Sequence, residues 1–147
     1  MSNVNKVVEN KNFTAINLGK LTLLSETSNG KAFLKEITKA TGTEISLSVL
    51  PANTDLPFFH SHKQNEETYI ILSGEGKFQV DDLSFDICEG SIVRVAPEGI
   101  RGMTNTSNDQ MIYIVIQSKE NSLEQYSMED GVIQDLNAKE LLNKLSE

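Results

Sequence analysis

The chain has 147 residues, with 13 Lys and Arg against 21 Asp and Glu, a net charge of −8 and a hydrophobic fraction of 38%. That length suits one domain that closes a single core without staples, and the lone cysteine, Cys88, excludes an intramolecular disulfide framework or a CxxC metal knuckle and points to a reducing cytoplasm. An acidic chain with pI near 4.8 and singly scattered basic residues is repelled by phosphate backbones, so neither nucleic acid nor an anionic membrane is an expected partner.

In chain order, Met1 to Asn12 are polar and acidic where a signal peptide needs a continuous apolar stretch, and the longest apolar run, Met111-Ile-Tyr-Ile-Val-Ile116, is far too short to span a membrane. No targeting or membrane segment is expected. No repeat or Pro/Gly/Ser linker divides the sequence, so residues 1–147 read as one domain. Ala15–Leu18, Leu21–Leu24 and Phe33-Leu-Lys-Glu-Ile37 are expected to be additional strands within about residues 13–40. Ile45, Leu47 and Val49 then alternate with Ser46, Ser48 and Leu50 until Pro51 stops the run. Short apolar runs follow at Thr68–Leu72, Lys77–Val80, Leu83–Ile87, Ile92–Val95 and Met111–Gln117. Between them stand turn signals: Ser73-Gly-Glu-Gly76, Asp81-Asp82, Glu89-Gly90, Pro97-Glu-Gly99 and Asn105-Thr-Ser-Asn-Asp109. Many short strands at this spacing predict an all-β sandwich or barrel. The Met111–Gln117 strand is apolar on both faces and must be covered on both, by other strands, by a helix or by a second subunit. In the tail, Leu136, Leu141, Leu142 and Leu145 fall at helical spacing, with Asn137 as cap and Glu140 answering it. A short C-terminal α-helix over about 138–146 is expected.

Both histidines lie in Pro57-Phe-Phe-His-Ser-His62. If the segment is extended, His60 and His62 project from one face with Cα atoms roughly 6.6 Å apart, and Phe58 shares that face. Ser61 projects to the other. Glu67, on the next antiparallel strand after a short turn, can complete a two-His, one-carboxylate set that leaves positions open for water or substrate, with Gln64 as a further candidate ligand. Such a set suits iron, manganese, nickel or zinc. Cys88 precedes a turn with no basic neighbour to lower its pKa and is expected to be a buried structural thiol.

The stretch from Phe59 to Gly76, with His60, His62, Glu67 and Gly74, resembles the first motif of the cupin superfamily: HxH, four residues, Glu, six residues, Gly. With the strand pattern the resemblance covers about residues 43–118. It implies a double-stranded β-helix, or jelly roll, with the ligands pointing into the barrel and Tyr69 and Ile71 on the inward face with Glu67. The superfamily's second motif supplies a further histidine from a facing strand. Counting from Gly90 puts Arg101 at that position and Asn105 at the motif's Asn, whereas anchoring on Pro97 and Gly99 puts Gly102 there. Either register lacks the imidazole.

Three readings follow. In the first, His60, His62 and Glu67 hold a divalent ion and Arg101 faces an anionic substrate, with Tyr69, Phe58 and Met103 shaping the pocket. In the second there is no metal, Arg101 pairs with Glu67, and the pocket binds a small anionic molecule. The third is a cupin shell with a satisfied polar network. Members similar to this chain suggest metal-assisted oxidation or isomerisation of a small polar metabolite, and a homodimer. No helix-turn-helix accompanies the barrel, which argues against a transcription factor.

Overall fold

The computed structural model describes residues 5–27 and 30–135. A hairpin of β1 (Asn5–Asn10) and β2 (Phe13–Asn17) stands by itself as a two-stranded sheet. The other strands form two antiparallel sheets. The larger has the order β3 (Lys31–Phe33), β4 (Glu44–Leu50), β11 (Met111–Lys119), β6 (Asn65–Ser73) and β9 (Ile92–Val95). The smaller has the order β5 (Thr54–Asp55), β10 (Arg101–Asn105), β7 (Glu75–Val80) and β8 (Leu83–Cys88). This is the expected all-β jelly roll.

Alternation sorts the side chains. Leu50, Tyr69, Ile71, Val95, Met111, Tyr113 and Val115 from the larger sheet meet Phe78, Ile87 and Met103 from the smaller in one buried cluster. Tyr69 packs edge-on against Phe78, with ring centroids 4.9 Å apart. Met103 and Met111 are 6% and 0% exposed, so both pack the barrel.

Two turns set the position of β10. Asp81 turns β7 into β8 with a left-handed φ of 52°; its N–H donates to the Ile100 carbonyl at 2.8 Å, and its carboxylate accepts from the Ile100 N–H at 2.9 Å. Asn105 is 1% exposed and ties the other end: its Nδ2 donates to the carbonyls of Leu50, Pro51 and Asp109 at 3.0, 3.0 and 2.7 Å. Between these clamps Arg101, Met103 and Asn105 face inward.

The structure departs from expectation in several places. Arg101–Asn105 is a strand that the sequence reading leaves out, because Gly102 and three polar residues hide its alternation. Asn5–Asn10 is likewise an unexpected strand. Leu21–Leu23 is a 3₁₀ turn that leads into helix α1 (Leu24–Thr27), not a strand. The strand expected at Phe33–Ile37 ends at Phe33 and gives way to helix α2 (Lys35–Thr38). Glu44 explains α2: its carboxylate accepts from the N–H groups of both Leu34 and Lys35, at 2.9 and 3.0 Å, a cap supplied from another strand. Cys88 is exposed rather than buried, because it ends β8 on the outward side. The C-terminal helix expected at 138–146 lies outside the described residues. Among the described residues no helix is long and apolar enough to cross a membrane.

At Gly76 β7 leaves no room beside β10: a Cβ there would be driven into the Thr104 carbonyl oxygen, whereas a Cβ on Gly42 meets nothing within 4 Å. Gly76→Ala is therefore expected to destabilise by about 3 kcal/mol or more and Gly42→Ala by less than about 0.5 kcal/mol. Denaturant unfolding of both variants checks this, and equal midpoints would refute the close approach.

Candidate metal centre at the barrel mouth

The two histidines and the glutamate come from different sheets. From Thr54 onward the chain runs along the edge of β10. Leu56 N–H donates to the Met103 carbonyl at 2.9 Å, and His60 and Arg101 exchange a pair of backbone hydrogen bonds at 3.1 and 2.9 Å. His62 N–H then donates to the Pro97 carbonyl at 2.7 Å, so His60 and His62 face the same interior and Ser61 is exposed. Glu67 stands on β6, paired with Gln117 of β11 and Val95 of β9 and not with the histidine segment. The site thus bridges the two sheets at the barrel mouth.

Glu67 is 5% exposed and sits among five polar groups. His60 Nε2 is 3.5 Å from Oε2, and His62 Nε2 is 3.3 Å from Oε1. Tyr69 donates its hydroxyl to Oε2 at 2.6 Å, and Gln117 donates Nε2 to Oε1 at 3.3 Å. The Arg101 Nε lies 3.5 Å from Oε2. One donor atom from each of His60, His62 and Glu67 fits within a 4.8 Å span.

Arg101 is itself 1% exposed, and its two Nη atoms donate to the carbonyls of His60 and Ala96, each at 3.3 Å. Its guanidinium is held by backbone and presents Nε to Glu67. Phe58 is 61% exposed and edge-on to His60, with ring centroids 5.6 Å apart. Gln64 is exposed, and its backbone carbonyl accepts from Glu120 N–H at 3.1 Å. A separate open groove of about 430 Å³ lies against the smaller sheet, between the 55–59 segment and β7 and β10. Phe58 and Met103 line it, but His60, His62, Glu67, Tyr69 and Arg101 do not.

Gln117 joins the site and Lys31 stands within its electrostatic reach, and the sequence reading named neither. Gln117 continues the inward phase of Met111, Tyr113 and Val115, and that phase was the available signal; its Oε1 accepts from Asn65 at 2.8 Å. Lys31 is paired with Ser48 on the inner side of the larger sheet, with Nζ 4.8 Å from the Phe33 ring centroid. Desolvation lowers its pKa, while Glu67 and Glu44 pull it back up.

Electrostatics keep His60 and Glu67 in their ligating forms. Desolvation pushes the His60 pKa below its ordinary value, against the pull of Glu67, so the imidazole is neutral at neutral pH. For Glu67, burial opposes ionisation, but the Tyr69 hydrogen bond and the neighbouring His62, Arg101 and His60 outweigh it and hold the pKa below normal. Burial, reinforced by the Glu67 charge, raises the Tyr69 pKa far above its usual value, so the phenol keeps its proton. His62 Nε2 and Arg101 Nε are buried without a hydrogen-bond partner. An imidazole nitrogen left open beside a second imidazole and an ionised carboxylate fits a divalent ion.

A jelly roll with a two-histidine, one-glutamate mouth defines the class. Residues 46–117 match the cupin domain family. A cupin protein from Bacteroides fragilis is 37% identical, with a TM-score of 0.74 over 84% of this chain and 98% of that one. The chain belongs to the cupin family. The fold also matches the Cnp3 cupin domain of Schizosaccharomyces pombe (14% identity, TM-score 0.59, over 73% and 72% of the two chains) and a protein from Thermus thermophilus (16%, 0.54, 63% and 87%). No curated protein sequence matches the chain.

The depressed Glu67 and His60 pKa values make acid destabilising. The folded state favours ionised Glu67 and neutral His60, so their contribution is complete above about pH 6.5. It declines as pH falls below 6.5 for His60, and below 4.5, the ordinary value for Glu67, as that group's folded pKa is crossed. Glu67→Gln should lower Tm at pH 7, because Arg101 loses its countercharge, and the gap to wild type should close as the pH falls. Thermal unfolding from pH 8 to pH 3 reads this, and a gap independent of pH would refute it.

Proposed function

We propose that this cupin binds one divalent metal ion through His60, His62 and Glu67 and presents it to a small anionic metabolite. The observation that carries the reading is the buried, unpartnered Nε2 of His62, 3.3 Å from Glu67 and on the same side as His60. A buried nitrogen with no partner is costly unless something electrophilic meets it. When bound, iron, manganese, nickel or zinc would supply a Lewis acid that polarises an oxygen of the ligand, the kind of assistance that oxygenase and isomerase chemistry uses.

The chain's own residues set the charge of the site. Glu67 contributes one negative charge and Arg101 one positive, so the protein does not neutralise the ion, and an anionic ligand completes the balance. Arg101 acts through its field, because its Nη atoms are committed to His60 and Ala96. Tyr69 keeps its proton and orients the Glu67 carboxylate, which leaves Oε1 turned toward His62.

A second reading is favoured by the Arg101 Nε at 3.5 Å from Glu67: a metal-free anion pocket in which the pair is an internal counterbalance. Elemental analysis separates the two. Untagged protein grown with iron, manganese, nickel and zinc is expected to carry near-stoichiometric metal, and His60→Ala and Glu67→Ala should each lose most of it while keeping the β-sheet circular dichroism. Metal-free protein that also refuses added ions would overturn the metal reading. The second would then be tested by a loss of anion-induced thermal stabilisation in Arg101→Ala.

A further inference from the structure

The inner face of the larger sheet carries polar groups that the metal centre does not use. Strand pairing puts Glu44, Gln117 and Glu67 in one row at the mouth. Lys31 and its cross-strand partner Ser48 stand further along the strands, with the pair Phe33 and Ser46 between them and that row. Lys31 nevertheless leans toward the mouth. Its Nζ lies over the Phe33 ring, 4.8 Å from the centroid, so the side chain runs along β3 in the direction of Glu44 and Glu67. An aromatic face stabilises a cation held in this way.

Both carboxylates act on the ammonium at a distance, yet both are committed elsewhere. Glu44 accepts from the N–H groups of Leu34 and Lys35, and Glu67 accepts from Tyr69 and Gln117. A second donor stands beside Lys31. Ser48 is 2% exposed and its Oγ has no hydrogen-bond partner; the Tyr113 hydroxyl across the strand pair feels it without forming a bond of normal geometry. A buried hydroxyl left open is costly unless something polar meets it.

We propose that Lys31, with the Ser48 hydroxyl beside it, receives a second anionic group of the ligand, so that the substrate class is a small dicarboxylate held at one end by the metal ion and at the other by β3. The inference rests on the metal reading above and adds a specificity-determining residue to it. Charge favours two anionic ends. Arg101 and Lys31 offset Glu67 and Glu44, which leaves a bound divalent ion without a countercharge, and a dianion supplies one. One ammonium and one hydroxyl also match the two oxygens and single charge of a carboxylate better than the three oxygens and nearly double charge of a phosphate. Lys31 precedes the matched residues 46–117, so it selects the ligand from outside the part of the barrel that carries the metal-binding side chains.

The test is calorimetric titration of the untagged, zinc-loaded full chain with diacids and with the monoacids of equal length: succinate against butyrate, and glutarate against pentanoate. At least one diacid is expected to bind about tenfold more tightly than its monoacid. Lys31→Met should weaken that diacid about tenfold, while the monoacid Kd and the zinc content stay within about twofold of wild type, and Lys31→Arg should keep the preference. Lys31 is exposed, so neither variant should alter the circular dichroism. Zinc-loaded protein that prefers neither diacid, or a preference that survives in Lys31→Met, would overturn this inference and leave the metal reading standing. Protein that takes up no zinc would overturn both.

Discussion

A carboxylate that is 5% exposed has to be compensated from within the protein, and the mouth of this barrel is organised around that requirement at Glu67. The compensation comes from both sheets. Tyr69 and Gln117 reach Glu67 from the larger sheet, while Arg101 and the two histidines reach it from the edge of the smaller one. One buried charge thus joins the halves of the sandwich at the end where a ligand enters. The apolar cluster from Leu50 to Val115 fills the barrel beyond it and excludes the water that would otherwise screen these charges.

Arg101 has two partners of different kinds. Its backbone pairs with His60 and its Nη atoms donate to the His60 and Ala96 carbonyls, so it fixes the histidine segment as well as facing the glutamate. The segment from Leu56 to His62 is almost devoid of regular secondary structure, and these bonds to β10 give it a register. The Asp81 turn and the Asn105 clamp hold β10 from its two ends, so the position of the imidazoles depends on residues that never touch the site.

The barrel and the first motif were legible because their signals are local. His60, His62 and Glu67 lie within eight residues, and Ile45–Leu50 and Met111–Gln117 alternate plainly. β10 was not legible: its inward residues are Arg101, Met103 and Asn105, two of them polar, and the buried contacts that make them inward come from distant parts of the chain. The four-residue helices α1 and α2 show no helical periodicity at that length, and α2 takes its cap from Glu44, nine and ten residues away. Gln117 joined the site through strand pairing alone. Cys88 was misplaced although the strand phase carried the answer: Ile87 is buried, so its neighbour Cys88 falls on the outer face.

The two registers weighed for the missing histidine are not equivalent in space. Gly102 faces outward, and a Cβ there would strike the Phe59 ring at 2.6 Å, so no side chain at that position reaches the mouth. Arg101 faces inward beside Glu67, in the direction from which a third imidazole would come. A redesign that trades this cation for a neutral donor is therefore a single exchange on β10, and it must also replace the hydrogen bonds by which the Arg101 Nη atoms hold the His60 and Ala96 carbonyls. For protein engineering, this makes position 101 a dial for the charge of the cavity, with the surrounding clamps as its fixed mounting.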